Sequence, residues 1–222
     1  MIKNSGESLY LKKIGKQDIT EDVMNWFSDK DLMKYYSNSQ KKITEEILID
    51  AIESGAKKGD NYTYGIFVKD KNLLIGTVKI GPINFVHRTS DLVTLIGNRD
   101  YLGKGLSVEA IKLGNELAFN EYDLRKLYGG MYISNISSIK AYCRAGWIIE
   151  GRLKGFYIVN GKNEDRLLVA CFNPKYFSNV EIEELIENEK LNPDLDQFEL
   201  VSPYLHKSVS KRYNPIKMGE KM

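Results

Sequence analysis

The sequence predicts an α/β fold with a mixed central sheet of about seven strands flanked by helices. Three observations carry this expectation. Segments of strand character alternate with segments of helical periodicity along the first 172 positions. Two short polar connections, "DKN" near residue 71 and "NGKN" at 160–163, join neighbouring strands as hairpins. A strongly amphipathic helix follows one strand after only a short glycine loop.

In order, "SLYLKKI" (8–14) alternates as a strand should. "DITEDVMNWFSD" (18–29) reads as a helix with Asp18 as its N-cap. "KKITEEILIDAIESGAKKG" (41–59) reads as a second helix, with Thr44 as N-cap, an apolar stripe at Ile47, Leu48 and Ala51, and a closing glycine. "YTYGIFVK" (62–69) and "LLIGTVKIG" (73–81) form the first hairpin, and "SDLVTLIG" (90–97) adds another strand. "LSVEAIKLGNELAFNEY" (106–122) is the amphipathic helix, with Val108, Ile111, Leu117 and Ala118 near one face. "KLYGGMYI" (126–133) is a strand, and "NISSIKAYCRAG" (135–146) is a short helix closed by Gly146. The stretch 147–172 is two long strands turned at Asn160-Gly161. From about 178 the composition shifts to an acidic helix and an irregular segment holding three of the five prolines. The expected organisation is a domain over 1–177 and a C-terminal extension over 178–222.

Composition narrows the function. A chain of 222 residues, 42% hydrophobic, can bury a substantial core. A net charge of +2 gives no reason to expect a nucleic-acid partner. Cys143 and Cys171 form no CxxC and suit a reducing, cytoplasmic setting. His87 and His206 lack metal-ligand spacing, so no metal site is expected. The N-terminus has no apolar h-region, and no window approaches 18 apolar residues, so neither a signal peptide nor a membrane span is expected.

The stretch "RDYLGKGLSVEAI" (99–111) puts two glycines at the mouth of a helix. The first N–H groups of a helix have no intrahelical partner and carry the positive end of its dipole. A phosphate can sit on them if no side chain intervenes, and glycine removes the side chain. A tight turn alone would explain one such pair. The Walker motif is absent, and a dinucleotide fingerprint would need a third glycine where Val108 stands. The loop thus points to a phosphate-bearing ligand of another class.

A second stretch, "NISSIKAYCRAGW", places Asn135, Ser138 and Tyr142 at intervals of three and four, followed by Gly146-Trp147. Together the two motifs resemble the GNAT superfamily of acetyl-CoA-dependent N-acetyltransferases. That family pairs a Gln/Arg-x-x-Gly-x-Gly/Ala loop with a later Asn-x-x-Ser-x-x-x-Tyr helix and a Gly-Phe. Gly103 and Gly105 match the loop. Trp147 replaces the Phe, and the Gln/Arg slot holds Asp100, with Arg99 one place early. The resemblance covers roughly 8–175 and includes element order. It implies the GNAT (acyl-CoA N-acyltransferase) fold, with acetyl-CoA as co-substrate. "GKGLSVEAIKL" also resembles the branch that acetylates ribosomal-protein N-termini. "INFVHRTSDLVTLIGN" and "IIEGRLKGFYIVNGK" are similar to the amino-sugar N-acetyltransferases of the pseudaminic acid pathway.

The resemblance implies direct acetyl transfer from a thioester to a primary amine. Pantetheine would lie along Leu95, Ile96 and Gly97, using main-chain groups of Leu95 and Gly97, and an N–H near there would stabilise the oxyanion. Tyr101, Leu102, Gly103, Lys104, Gly105, Leu106 and Ser107 would hold the pyrophosphate, with Asn135, Ser138 and Tyr142 contributing from the later helix. Tyr142 is the expected general acid toward the leaving thiolate; a packed aromatic is the plainer reading. Glu109 or Glu150 are the candidate bases, each also explicable as a structural carboxylate. Tyr35, Tyr36, His87 and Asp91 are candidate acceptor-side residues. The first expected acceptor is the amino group of a nucleotide-linked sugar. A protein N-terminus or a polyamine is the alternative. A non-catalytic acetyl-CoA-binding or docking module is the second alternative. A second subunit, in a homodimer, is an expected partner of the extension.

Overall fold

The computed structural model describes residues 5–36 and 43–182. The chain divides between Leu127 and Tyr128 into two compact units, taken here in turn.

In the first unit, β1 (Leu9–Lys13), β2 (Tyr62–Val68), β3 (Leu73–Asn84) and β4 (Thr89–Ile96) lie side by side in that order, all antiparallel. The side-chain period of two gives the strands two distinct faces. One face receives α4 (Leu106–Asn120), which approaches closely because Gly114 lacks a side chain: a Cβ there would lie 3.0 Å from Val78 and 3.1 Å from Leu92. Ile111, Leu117 and Ala118 of α4 are buried as the periodicity predicts, and Val108 is half-buried. The other face carries α1 (Glu21–Ser28), α2 (Lys30–Met33) and α3 (Glu45–Lys58). A cluster of Tyr10, Ile14, Ile19, Val23, Trp26, Ile52 and Phe67 forms the core on that side.

Local signals hold where a cap or a turn sets them. Thr44 caps α3 by accepting from the Ile47 N–H, and Gly59 ends it at φ 79°, a left-handed turn natural to glycine. The expected single helix over 18–29 is corrected. Asp18 closes a 3-10 turn over Lys16–Asp18, and Thr20 is the true N-cap, accepting from Val23 N–H. Asp29 then caps α2 through the Asp31 and Leu32 N–H groups. The expected α3 stripe is shifted as well. Ile47 is 55% exposed, and the buried positions are Ile52 and Gly55.

In the second unit, β5 (Lys126–Tyr132), β7 (Lys162–Phe172) and β6 (Ile148–Val159) follow one another in that order. Asn160 at φ 50° and Gly161 at φ 75° make the tight turn between β6 and β7. Asn135 caps α5 (Ile136–Arg144), its Oδ1 accepting from the Ser138 N–H, and Gly146 at φ 97° sits one residue beyond the C-cap Ala145. Ser178 opens one helical turn by exchanging hydrogen bonds with Glu181. The next residue, Ile182, is 4% exposed and joins Ile148, Ala170 and Phe172, with Phe177 against them. Ile182 thus anchors this turn to the sheet, while residues 178–181 are exposed. The rest of the expected acidic helix and the irregular segment lie outside the described residues. No helix among the described residues is long and apolar enough to cross a membrane.

One contact fixes β1 to α4. Glu109 Oε1 accepts the backbone N–H groups of Ser8 at 2.8 Å and Leu9 at 2.9 Å, a hundred positions away in sequence. Replacing Glu109 by Ala leaves two strand N–H groups without their acceptor and should cost about 2 kcal/mol, a fall of several degrees in Tm. Glu109→Gln keeps an oxygen acceptor and should lose less than half as much. Equal losses in the two variants, measured by thermal unfolding, would show that the carboxylate does not anchor the strand.

Candidate active site

The loop after β4 is built from both of its ends. The Gly97 N–H donates to Ile75 O at 2.8 Å, and the Asn98 N–H donates to the same oxygen at 3.0 Å. Asn98 Oδ1 caps the short turn Arg99–Tyr101 by accepting from the Asp100 N–H. Gly97 lies flat under α1: a Cβ there would fall 2.1 Å from the Trp26 ring. Arg99 crosses to the same corner, donating from Nε to Asp29 Oδ2 at 2.7 Å. The Leu32 N–H, then Arg99, hold the Asp29 carboxyl below the usual carboxylate range. A depressed carboxyl stabilises the fold above its unfolded pKa, and that contribution fades as pH falls through the folded value. So the pair holds through neutral pH and weakens in acid.

Beyond that anchor the chain opens. Gly103 and Gly105 adopt φ 72° and 77°, and a Cβ on either would meet nothing within 4 Å. Glycine therefore suits the left-handed backbone and leaves open space at the start of α4. No side chain caps the helix there. The uncapped dipole end, exposed glycines and exposed Lys104 fit a diphosphate in chemistry and in room. Lys104 Nζ stands 5.2 Å from the Tyr101 ring centroid, and Lys71 Nζ 6.0 Å. Leu102 is 42% exposed beside them, and Leu106 and Ser107 open the helix half-buried.

The main chain of β4 requires one correction. Gly97 N–H is already engaged by Ile75, and in the antiparallel ladder Leu95, opposite Thr77, turns its groups to the same side. The groups turned to the other edge belong to Thr94 and Ile96. Tyr36 shows this directly, its hydroxyl donating to Thr94 O at 3.4 Å. Leu95 and Gly97, expected to offer main-chain groups to a ligand, thus turn them toward β3 instead.

Under α1 and α3 lies a cavity of about 410 Å³, a size suited to a small molecule. Its floor is one face of the sheet, with Thr63, Lys79 and Val93 in one cross-strand row and Thr77 beside Leu95 in the next. Val23 and Phe27 of α1 and Leu48 and Ile52 of α3 form apolar walls. Tyr36, Lys58, Asp60, Asn61 and Lys79 supply polar groups. Of the four acceptor-side candidates, Tyr36 lines this chamber and the other three do not. The Tyr35 ring sits beneath Lys34 Nζ at 4.9 Å. His87 is on the exposed β3–β4 turn, its carbonyl accepting from Arg125 Nε. Asp91 is half-buried in β4. Sequence reasoning missed the chamber, Trp26, Asp29 and Lys79, because each matters through contacts between distant segments.

The second unit holds the remaining candidates. Asn135 and Ser138 are joined to each other at the start of α5, where Asn135 acts as a cap. Tyr142 is 6% exposed, edge-on to Trp147 with ring centroids 4.9 Å apart. Glu150 stands where the β6–β7 register shifts between Ile149 and Gly151. Glu109, the other candidate base, has its carboxylate engaged by β1. Cys143 and Cys171 are free but buried, and burial pushes the Cys143 thiol up to about 12 and the Cys171 thiol higher still. Neither offers a thiolate to carry an acyl group. No cluster of metal-ligating side chains occurs among the described residues.

Comparison with known proteins places this geometry in a family. The family model of the acetyltransferase (GNAT) domain matches residues 8–148. A probable N-acetyltransferase of Bacillus subtilis, YjcK, is 28% identical over 165 residues, 73% of this chain and 88% of that protein. The spermidine N(1)-acetyltransferase of Escherichia coli K12 is 31% identical over 103 residues, 46% of this chain and 55% of that enzyme. The matched segment thus spans only about half of the Escherichia coli enzyme. Among solved structures, the spermidine N-acetyltransferase of Vibrio cholerae in complex with CoA and spermine superposes with a TM-score of 0.69 at 21% identity, covering 76% of this chain and 98% of that one. The expected GNAT fold is the fold observed, and acetyl-CoA is the co-substrate. The chain belongs to the GNAT acetyltransferase family and is an acetyl-CoA-dependent N-acetyltransferase.

Proposed function

We propose that the protein transfers acetyl from acetyl-CoA to the primary amine of a small aliphatic molecule. The chamber carries this reading: it is small, walled by methyl and methylene groups, and floored by the strand, β4, whose end leads into the glycine loop. The spermidine acetyltransferases among the relatives support a polyamine over the nucleotide-linked sugar that the sequence put first. They likewise give no support to the ribosomal-protein and pseudaminic acid branches. A second reading is favoured by the charges that line the chamber. Lys58 and Lys79 stand against the single carboxylate Asp60, a surplus that repels a polycation and suits an amine bearing an anionic group.

The same surplus bears on the chemistry. An amine must be neutral to attack, and neighbouring cations disfavour its ammonium form. Lys58 and Lys79 would lower the acceptor's pKa and reduce the need for a strong base. The bound coenzyme supplies an activated thioester. Its diphosphate would rest on the α4 N-terminus, and the main chain of Ile96 would orient its arm. Tyr142 would donate a proton to the departing thiolate, a role that rests on its place in the Asn135–Ser138–Tyr142 motif. With both cysteines buried, transfer is direct rather than through an acylated cysteine.

Two measurements check these assignments. Gly105→Asn keeps a residue that tolerates left-handed φ but puts a side chain where the diphosphate would rest. Calorimetry should show CoA affinity reduced at least about tenfold, the figure that a lost charge-assisted contact implies, with Tm little changed; unchanged affinity would remove the loop from the site. Steady-state turnover of acetyl-CoA against spermidine, monoamines, amino acids and an amino-sugar nucleotide tests the acceptor class. Turnover confined to the nucleotide sugar would overturn the small-amine reading. With the best acceptor, Tyr142→Phe should lower kcat and kcat/KM together by about 100-fold. Near-wild-type turnover with chemistry rate-limiting would leave Tyr142 a packed aromatic.

A further inference from the structure

The chamber of the first unit has apolar walls and a floor that carries three polar side chains, Thr63, Thr77 and Lys79. Thr63 stands opposite Lys79 across the β2–β3 ladder, and Thr77 lies two positions before Lys79 on β3. The three side chains therefore share one face of the sheet and neighbour one another. Thr77 is 9% exposed, and its hydroxyl meets no hydrogen-bond partner among the described residues. Lys79 is half-buried and makes no hydrogen bond or ion pair among them. A buried hydroxyl left unmatched costs stability, and an ammonium drawn off the surface gives up part of its hydration. One ammonium flanked by two hydroxyl donors is a set that satisfies the oxygens of an anion.

Charge and length narrow the anion and what it is attached to. Lys58 and Asp60, which also line the chamber, offset one another and leave Lys79 as the surplus charge. A single surplus charge matches a carboxylate; a phosphate monoester at neutral pH carries close to two negative charges, and Asp60 opposes the second. Val93 of β4 stands opposite Lys79, and Leu95 opposite Thr77. The floor thus runs from the Lys79 row past Thr77 toward Gly97, where the glycine loop begins. The four steps from Val93 to Gly97 span about 13 Å of extended strand. The lysine stem and the thioester take up part of that length. An α-amino acid holds its amine and carboxylate too close together to serve both ends, whereas an unbranched stem of several methylenes bridges them along the apolar walls.

We propose that the floor of this chamber seats a carboxylate, paired with Lys79 and hydrogen-bonded by Thr63 and Thr77, and that the acceptor is an unbranched ω-amino carboxylate whose amine points toward the glycine loop. This rests on the small-amine acetyltransferase reading above and narrows its substrate class. Selectivity follows from the lining: a monoamine leaves Lys79 and Thr77 unmatched, and a polyamine sets a second cation against Lys79.

The test uses the full chain and compares butylamine, putrescine and glycine with 4-aminobutyrate, 5-aminopentanoate and 6-aminohexanoate. Wild type should show its highest kcat/KM with one of the three ω-amino carboxylates. Lys79→Met keeps an unbranched stem without the charge; it should cut the kcat/KM ratio of that acceptor over butylamine by about 10- to 100-fold, chiefly through KM, and Lys79→Arg should restore part of it. Thr77→Val keeps the shape and removes the hydroxyl. It should lower the same ratio by about 3- to 10-fold without lowering Tm, since no hydrogen bond within the protein is lost. Calorimetric binding of the ω-amino carboxylates in the presence of CoA needs no turnover. Wild-type binding that Lys79→Met abolishes would uphold the carboxylate seat even if no amine were acetylated, a result that would count against the transfer reading alone. A wild type that prefers putrescine, butylamine or glycine, or a folded Lys79→Met that binds the ω-amino carboxylates as well as wild type does, would overturn it.

Discussion

The site in the first unit depends on how tightly α1 is pressed onto the end of β4. The Trp26 ring occupies the space that any side chain at residue 97 would need. Six residues beyond Gly97 the backbone turns left-handed, at Gly103 and again at Gly105. A loop this rich in glycine carries a large entropy of its own. It holds one shape because its first residues are fastened on both sides, to Ile75 through two N–H groups and to Asp29 through Arg99. The fastening ends before Gly103, and the backbone beyond it faces open space. Rigid support beneath an open cradle is what binding an anion with little reorganisation requires.

The same helix also walls the chamber. Val23 and Phe27 sit one turn apart on α1 and face the chamber, while Trp26 between them faces the loop. A shift of α1 would therefore disturb the glycine loop and the chamber at once. Asp29 extends the coupling, since one carboxylate caps α2 and pairs with Arg99. Replacing it would free a helix start and release the loop together.

The legible part of this architecture is the part written in neighbouring residues. Thr44 and Gly59 bracket α3 because a cap and a left-handed stop act over three or four positions. Asn160-Gly161 turns β6 into β7 for the same reason. Gly103 and Gly105 announce an open turn because few residues other than glycine meet their conformation cheaply. The misreadings have a common source. Asp18 and Thr20 are both good caps two positions apart, and tertiary packing chose between them. Ile47 lies on the periodic stripe of α3 yet faces solvent, because the face turned to the chamber is set by where the sheet lies. Glu109 offers a carboxylate whose partners are a hundred residues away. A single sequence shows that carboxylate but not the strand that takes it.

Charge bears on the reaction itself. An N-acetyltransferase must hold an amine that is mostly protonated in water and use it as a free base. A buried carboxylate near the amine would bind it more tightly and make it a poorer nucleophile, because it favours the ammonium form. Lysines act in the opposite sense: they weaken ammonium binding and favour the neutral amine. If the chamber takes the acceptor, as proposed above, its lining by Lys58 and Lys79 would give up affinity for the reacting group in exchange for reactivity. Affinity would then come from elsewhere on the acceptor, from apolar stem contacts with Val23, Phe27, Leu48 and Ile52 and from a charge of the opposite sign. Such a division would use remote contacts to favour the chemical step, and it agrees with a Glu109 carboxylate committed to the fold.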